Sequence, residues 1–357
     1  MAHQATTFFS PLNVDYLAGN EQLRAFAAFS PDDDGLDQAI VQRKQFPVDR
    51  KVLTDVLQKQ YSNYSLRKEV SDNIALLADE NTFTVCTAHQ PNLMTGYLYF
   101  IYKIIHAAKL AQHLRARHPE RNFVPVFYVG SEDNDLDELS VFRFNGIKFR
   151  WQTEQTGAVG RMSTKDLQPL LQQLTALVGP PGEQAEHLKD VILTAYNSNH
   201  TIAEATRYIV NEFLGQYGVV VIDPDDADLK RAFIPILKQE LLQPVANELV
   251  QKTSAALNEN YTAQAFSRPI NLFYLKDDIR ERIERTESGW KVLRTNIHWD
   301  EAAMLKEVEN YPERFSPNVI LRGLFQETIL PNVAFIGGGS EVAYWLQLKP
   351  VFEHYHT

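Results

Sequence analysis

An α/β fold with a parallel-sheet core is predicted by three features of the chain. These are short runs rich in β-branched and aromatic residues, loops of Pro, Asn and Gly directly after them, and amphipathic helical patterns that follow. Residues 83–87 form the first run, a Pro/Asn/Gly loop comes next, and a long helical pattern covers 98–117. A second apolar run, 124–129, follows a short turn and completes the rhythm of parallel strands joined by a crossover helix.

Ahead of this core, residues 20–80 are mostly helical in pattern. Val52, Val56 and Leu57 share one face, and Leu66, Val70, Ile74 and Leu77 another. Beyond it, 142–144 and 148–151 flank Asn145-Gly146, the strongest short hairpin signal, where the chain leaves the parallel core. Pro180, Pro181 and Gly182 break the next helical stretch, and 201–216 reads as an amphipathic helix. The run 219–222 ends at Asp223-Pro224-Asp225-Asp226, ahead of a helix containing Lys230 and Arg231. Residues 271–275 and 290–293 read as antiparallel strands of an insertion, and 333–336 leads through Gly337-Gly338-Gly339 into a helix starting near Glu341. The expected organisation is a helical lead-in (1–80), a core in three pieces (81–150, 201–240 and 316–357) and two insertions (151–200 and 241–315).

A chain of 357 residues exceeds what one core organises, so a core domain with a further domain or large insertions is expected. Hydrophobic residues at 44% and charged residues at 22% are those of a globular protein. The formal charge of -10 argues against a general nucleic-acid or anionic-membrane binder, both of which need a dense positive surface, and points to small-molecule partners. Cys86 is the lone cysteine, so one chain forms neither a disulfide nor a thiolate cluster, which fits a reducing cytoplasm. It lies inside an apolar run and reads as a core residue rather than a nucleophile. Met1 to Ala5 carry no basic region leading into an apolar stretch, and no segment has the roughly twenty apolar residues of a membrane span.

Three blocks could carry chemistry. The first, Thr87 to Gly96, sits at the carboxyl end of a predicted strand, where open α/β sheets bind ligands and the next helix offers backbone N–H groups to an anion. His89 could stabilise phosphate charge or move a proton, and Thr95 with Gly96 could cradle a phosphate. The plain alternative is a loop shaped by Pro91, Asn92 and Gly96. On the following helix Tyr99 and Lys103 share a face, as do Tyr102 and His106. Taken alone, that helix has the tyrosines in the core and Lys103 in solvent.

The second block, Ser131 to Glu138, holds five acids in seven residues directly after the second strand. Such like charge repels itself unless something positive offsets it. Glu132, Asp133 and Asp135 could bind an amine, hold Mg²⁺ or cap a helix. The third block comprises Arg322, Gln326 and Glu327, then Gly337-Gly338-Gly339-Ser340-Glu341 and Tyr344-Trp345. There the glycines allow close backbone approach and Arg322 offers a fork for carboxylate or phosphate. A glycine turn that merely ends a strand is the alternative.

In this order, Thr87-Ala88-His89-Gln90, Leu93-Met94-Thr95-Gly96-Tyr97-Leu98-Tyr99 and Tyr102-Lys103 are followed by Glu132-Asp133-Asn134-Asp135 and Asp137-Glu138. Arg322, Gln326, Leu330-Pro331, Gly337-Gly338, Glu341 and Ala343-Tyr344-Trp345 complete the set. Together they resemble the cysteine ligase family of bacillithiol synthesis, the BshC family, along essentially the whole chain; Asp15-Tyr16-Leu17 resembles it too. Departures from the family's pattern are Ala88 and Ser340 in place of glycine and Tyr97 and Gly323 in place of proline. Glutamine is common in the family at position 89, and histidine at 134.

The resemblance implies a Rossmann-like core with connecting insertions. In the family a helical coiled-coil region that supports a homodimer follows, and this chain stops before it. It further implies the joining of L-cysteine to glucosaminyl-malate. Direct condensation in water needs activation, so ATP or another nucleotide is expected to activate the cysteine carboxylate as an adenylate or acyl phosphate, with Mg²⁺ as the accompanying ion. The expected catalytic residues are His89, Lys103, Glu132, Asp133 and Asp135. Gln90, Thr95, Gly96, Tyr99, Arg322, Gln326, Gly337, Gly338, Gly339, Glu341 and Tyr344 are expected to bind substrate or nucleotide, with Arg322 paired to a malate carboxylate. Competing readings are a nucleotidyl transferase on the same strand–loop–helix and a noncatalytic binding or scaffold protein.

Overall fold

The computed structural model describes residues 8–276 and 278–357; the reading of Met1 to Ala5 lies outside them. Two compact units are present: a first of residues 8–49, Ala227–Tyr274 and Glu281–Thr357, and a second of Arg50–Asp226 and Leu275–Arg280.

In chain order the first unit opens with α1 (Pro11–Leu17) and α2 (Asp33–Arg43). The second unit then supplies α3 (Arg50–Gln60), α4 (Lys68–Leu76), β1 (Thr82–His89), α5 (Leu98–Arg117), β2 (Asn122–Val129), α6 (Leu136–Leu139) and the hairpin β3 (Val141–Phe144) and β4 (Ile147–Arg150). It continues through α7 (Gln168–Thr175), α8 (Glu183–Asn197) and α9 (Ile202–Leu214) to β5 (Val220–Ile222). The chain returns to the first unit with α10 (Ala227–Arg231), α11 (Ile234–Leu242), α12 (Ala246–Leu257), β6 (Leu272–Lys276), β7 (Ile279–Thr286), β8 (Gly289–Val292) and β9 (His298–Trp299), the end of β6 and the start of β7 (Leu275–Arg280) being counted to the second. It ends with α13 (Glu301–Asn310), β10 (Phe315–Pro317), α14 (Val319–Ile329), β11 (Asn332–Ile336), α15 (Gly339–Trp345) and α16 (Lys349–His354).

The parallel sheet expected from the sequence is present, in the order β1-β2-β5 within the second unit. β1 and β2 pair in parallel over their full length, from Thr82↔Asn122 to His89↔Val129, and β2 continues onto β5 from Val126↔Val220 to Tyr128↔Ile222. Thr82–Ala88 and Phe123–Val129 are continuously buried, the pattern of strands covered on both faces. Fully burying each of Phe83, Val85, Phe123, Val126 and Phe127 stabilises the unit by about 1.5–3 kcal/mol. Cys86 is likewise completely buried in β1, as its apolar run predicted.

Helix α5 packs on this sheet through Phe100, Ile104, Ala107, Ala111 and Leu114, spaced three and four apart, and carries Arg115 and Arg117 in its last turn. α9 begins with a capping box, in which Thr201 and Glu204 satisfy each other's backbone N–H groups. The Asn145-Gly146 hairpin forms as predicted, with both residues at positive φ (48° and 79°) and Phe142 paired with Phe149. In the lead-in, Leu53 and Thr54 join Val56 and Leu57 on the buried face and Val52 is only half-buried, a rotation of the expected stripe.

The first unit builds antiparallel ladders. β10 pairs with β6 (Phe315↔Tyr274), β7 with β8 (Ile283↔Val292) and β8 with β9 (Trp290↔Trp299), in keeping with the strands expected at 271–275 and 290–293. Among the described residues, no helix is long and apolar enough to cross a membrane.

Glu240 of α11 is completely buried in the first unit and accepts from the backbone N–H (2.8 Å) and Nδ2 (2.9 Å) of Asn271; its Oε2 has no partner among the described residues. Burial pushes its carboxyl up to about 7, against the two Asn271 hydrogen bonds that lower it. Between the unfolded value and 7, the folded chain therefore holds a proton that the unfolded chain has released, and stability falls as pH rises, by up to about 1.4 kcal/mol per pH unit. Glu240→Gln should remove this loss. In urea unfolding its midpoint should exceed that of the parent at pH 8, and the two should converge at pH 5.

Candidate functional site

The register of the sheet sets the geometry of the candidate site in the second unit. His89 is the last residue of β1 and Val129 the last of β2, and the Gly130 N–H donates to the His89 carbonyl at 2.7 Å, so both loops leave one sheet edge side by side. The first two blocks singled out in the sequence therefore meet: Gln90 Nε2 donates to Asp133 Oδ2 at 2.7 Å.

The loop after β1 is held in an unusual conformation. Met94, Thr95 and Gly96 have consecutive positive φ values of 52°, 66° and 62°. For a β-branched residue such as Thr95 this is a strained state, costing on the order of 1–3 kcal/mol. The Met94 N–H donates to the buried hydroxyl of Tyr196 on α8 (3.0 Å), which fixes the turn from outside. Gly96 has no alternative, because a Cβ there would meet Asn92 Cβ at 2.8 Å. The chain then enters α5 at Tyr97, whose side chain makes no capping hydrogen bond.

Positions on α5 differ from those inferred for the helix alone. Lys103 is buried rather than solvated, and its Nζ donates to the Ala88 carbonyl at 2.6 Å. Tyr99 and Tyr102 are exposed rather than in the core. The reason is a ladder of rings: Phe127 packs on Phe100, Phe100 on His89, His89 on Tyr99 (5.0 Å) and Tyr99 on Tyr97 (5.8 Å, interplanar angle 12°). The stripe at Phe100, Lys103 and Ile104 takes the sheet side, so the tyrosines fall on the outer side and the ladder ends in solvent at Tyr97.

The acid block is offset by cations distant in sequence. Arg280 donates to Asn134 Oδ1 at 2.9 Å; burial lowers its affinity for a proton, and the charges of Asp133 and Glu132 oppose that. Arg161 makes two 2.6 Å hydrogen bonds to Asp225, just past β5, and also faces Glu132 and Asp223. Several acids have structural duties: Asp133 accepts from the Asp135 N–H, Asp135 caps α6 through the Glu138 N–H, and Asp137 pairs with Arg150. Burial, then the neighbouring Asp135 and Asp133, raises the Glu138 carboxyl. Among the described residues no three His, Cys, Asp or Glu side chains stand together as metal ligands.

Residues not singled out as site candidates in the sequence complete this edge. Asp223 accepts a short hydrogen bond from Ser131 Oγ, lies 3.9 Å from Arg207 and donates its backbone N–H to Gln60 Oε1. Burial, then Asp225, pushes the Asp223 carboxyl up to about 6. Gly160 packs on Ser131 so closely that a Cβ would come within 2.4 Å of Ser131 Cβ. The position of Asp223 after an apolar strand was the available signal; nothing local in the sequence marks Arg161, Arg207 or Arg280.

The third block forms its own cluster in the first unit. Arg322 on α14 donates to Tyr344 Oη (3.0 Å) and Gln326 Oε1 (3.3 Å), with its guanidinium 5.5 Å over the Phe335 ring, itself stacked on Trp345 at 4.4 Å. Gln326 is completely buried and bonds Glu327, which Arg43 and Asn332 also hold. Of the three glycines, Gly338 donates its N–H to Glu341 Oε2 (2.8 Å), and Gly339 is pressed against Asn13, whose Nδ2 a Cβ would approach at 2.7 Å.

Arg280→Met removes the cation that faces Asp133, Asn134 and Glu132. It should destabilise the protein by about 1–3 kcal/mol, with Arg280→Lys recovering part of the loss. Thermal unfolding at low and high salt reads this, and added salt should narrow the gap between Arg280→Met and the parent.

The family model described as "Bacillithiol biosynthesis BshC, N-terminal Rossmann-like domain" matches residues 1–357. A Flavobacterium johnsoniae protein named "Putative cysteine ligase BshC" is 43% identical over 355 residues, which are 99% of this chain and 67% of that protein. A Cytophaga hutchinsonii protein of the same name is 43% identical over 350 residues, covering 98% of this chain and 65% of that protein, and a Salinibacter ruber one is 31% identical over 360. The chain thus spans about two thirds of the length of these relatives. The resemblance read from the three blocks and the parallel strand–helix–strand core agree with this match, and the chain belongs to the BshC family, matching its N-terminal Rossmann-like domain.

Proposed function

We propose that this chain carries the ligase chemistry of bacillithiol synthesis, joining the carboxyl group of L-cysteine to the amine of glucosaminyl-malate. The observation that carries the reading is the family match over all 357 residues together with relatives named as cysteine ligases. Amide formation in water needs a leaving group on the carboxylate, and a nucleotide supplies it.

The residues at the edge of the parallel sheet fit a phosphate-bearing ligand. A turn of three left-handed residues leads into the start of a 20-residue helix that no side chain caps, which favours an anion there. In this reading Thr95 and Gly96 line the phosphates and His89 donates to them. Lys103, anchored on the Ala88 carbonyl, lends positive charge to the end of β1. Gln90 holds Asp133 in place, and Tyr99 flanks the ligand. Glu132, Asp133 and Asp135 attract the ammonium group of cysteine and accept the proton that the attacking amine sheds. Mg²⁺ arrives with the nucleotide phosphates, since these carboxylates form no metal cage of their own.

In the first unit Arg322 is the group suited to a carboxylate of malate. Gln326 and Tyr344 orient it, and Gly337, Gly338, Gly339 and Glu341 shape the adjoining turn. The alternative readings as a nucleotidyl transferase or a scaffold gain no observation of their own.

Bacillithiol formation from cysteine, glucosaminyl-malate, ATP and Mg²⁺ tests the reading, on this chain and on a full-length relative. Product from both supports it, and product from neither overturns it. Product from the relative alone assigns the activity to the longer protein. Arg322→Ala should raise KM for glucosaminyl-malate about tenfold or more, the value of one charged hydrogen-bonded pair, and leave that for cysteine within twofold. An unchanged KM for glucosaminyl-malate overturns the Arg322 assignment.

A further inference from the structure

Asp223 has no part in the roles above, yet it is a fixed end for the loop that carries Glu132 and Asp133. One side chain holds both of its backbone groups: Gln60 of α3 accepts from the Asp223 N–H through Oε1 (2.9 Å) and donates to the Asp223 carbonyl through Nε2 (2.7 Å). Gln60 is itself set by Arg207 of α9, which donates to its carbonyl (3.0 Å) and to its Oε1 (3.3 Å). The carboxylate is thus anchored to two helices before it meets the loop.

It meets the loop at Ser131, a residue 1% exposed, whose Oγ donates to Asp223 Oδ1. Two further anchors hold the same stretch by its backbone: the Gly160 N–H donates to the Ser131 carbonyl (2.8 Å) and the Val159 N–H to the Asp133 carbonyl (2.7 Å). Both come from one short segment, so by themselves they leave the loop free to pivot about it. The Ser131–Asp223 bond comes from the end of β5 and supplies an independent fixed point. Glu132 stands between the anchored residues, and the direction of its carboxylate follows from how Ser131 is seated.

Stability alone does not account for a carboxylate at position 223. Asp225 crowds it with a second acid, and Arg207 at 3.9 Å offsets only part of that repulsion. A neutral acceptor would avoid the conflict. An ionised acceptor makes the stronger hydrogen bond and so the firmer support for the residues next to it.

We propose that Asp223 is a positioning residue for the acid loop: through Ser131 it holds Glu132 and Asp133 where they receive the ammonium group of the amino-acid substrate. This rests on the reading of those two acids as the ammonium site and adds the residue that aims them. No covalent step is involved.

The test is calorimetric binding, under reducing conditions, of L-cysteine and of 3-mercaptopropionate, which lacks the amine. The parent chain should prefer cysteine about tenfold or more, the value of one hydrogen-bonded charge pair. Ser131→Ala and Asp223→Ala should each cut the preference to about threefold or less, with 3-mercaptopropionate affinity within twofold of the parent. The double variant should be no worse than either single one, because both break the same contact. Asp223→Asn, which still accepts from Ser131, should recover most of the preference. Unchanged preference in Ser131→Ala, which leaves the Gln60 clamp in place, overturns the proposal even if Asp223→Ala fails to fold. Equal losses for both ligands assign Asp223 a purely structural role and overturn it as well, and so does Asp223→Asn behaving like Asp223→Ala. A parent that binds the two ligands equally overturns the ammonium reading of Glu132 and Asp133 and the proposal with it, a result distinct from failure of the variants alone.

Discussion

The pairing of β1 with β2 is the constraint on which the second unit depends. Eight consecutive residues of each strand run in register, and the last pair, His89↔Val129, fixes where both chains leave the sheet. A one-residue slip would turn every side chain of a strand to the opposite face, against neighbours it is not shaped to pack with, so the starting points of the two loops are set together. The Gly130 N–H to His89 carbonyl bond extends this coupling one step past the strands. The contact between Gln90 and Asp133 is then a consequence of register rather than a separate design.

Charge at this edge is organised by pairing at a distance. The acid block would repel itself if left to its own residues. Arg280, which reaches Asn134 from the start of β7, and Arg161, clamped on Asp225, place two guanidinium groups where local sequence supplies only carboxylates. Asp135 also caps α6 and Asp137 also makes an exposed pair with Arg150, so part of the block serves the fold.

Much of this was readable from the chain because it is local. Asn145-Gly146 names its own hairpin, the apolar run through Cys86 names a buried strand, and the helical pattern over 98–117 names α5, though not the side it turns to the sheet. What was not readable depends on tertiary partners. Lys103 reads as a surface charge until the Ala88 carbonyl is placed beside it, and Tyr99 reads as a core ring until His89 and Phe100 are seen to fill the space beneath it. Thr95 gives no local hint of a left-handed backbone, since a β-branched residue is a poor choice for one; the Tyr196 hydroxyl that holds the neighbouring Met94 N–H lies 102 residues away in sequence. The three blocks could be singled out in sequence, whereas the arginines that make the acidic one tolerable could not.

Cys86 gives the molecule a property of a different kind. It is the chain's lone sulfhydryl, and β1 encloses it completely in the middle of the sheet. A protein whose proposed substrate and product are both thiols is surrounded by partners for mixed-disulfide exchange, yet it keeps its own thiol out of their reach. Alkylating reagents would therefore be consumed only as the central strands part, and Cys86 becomes a built-in clock for the opening of the sheet.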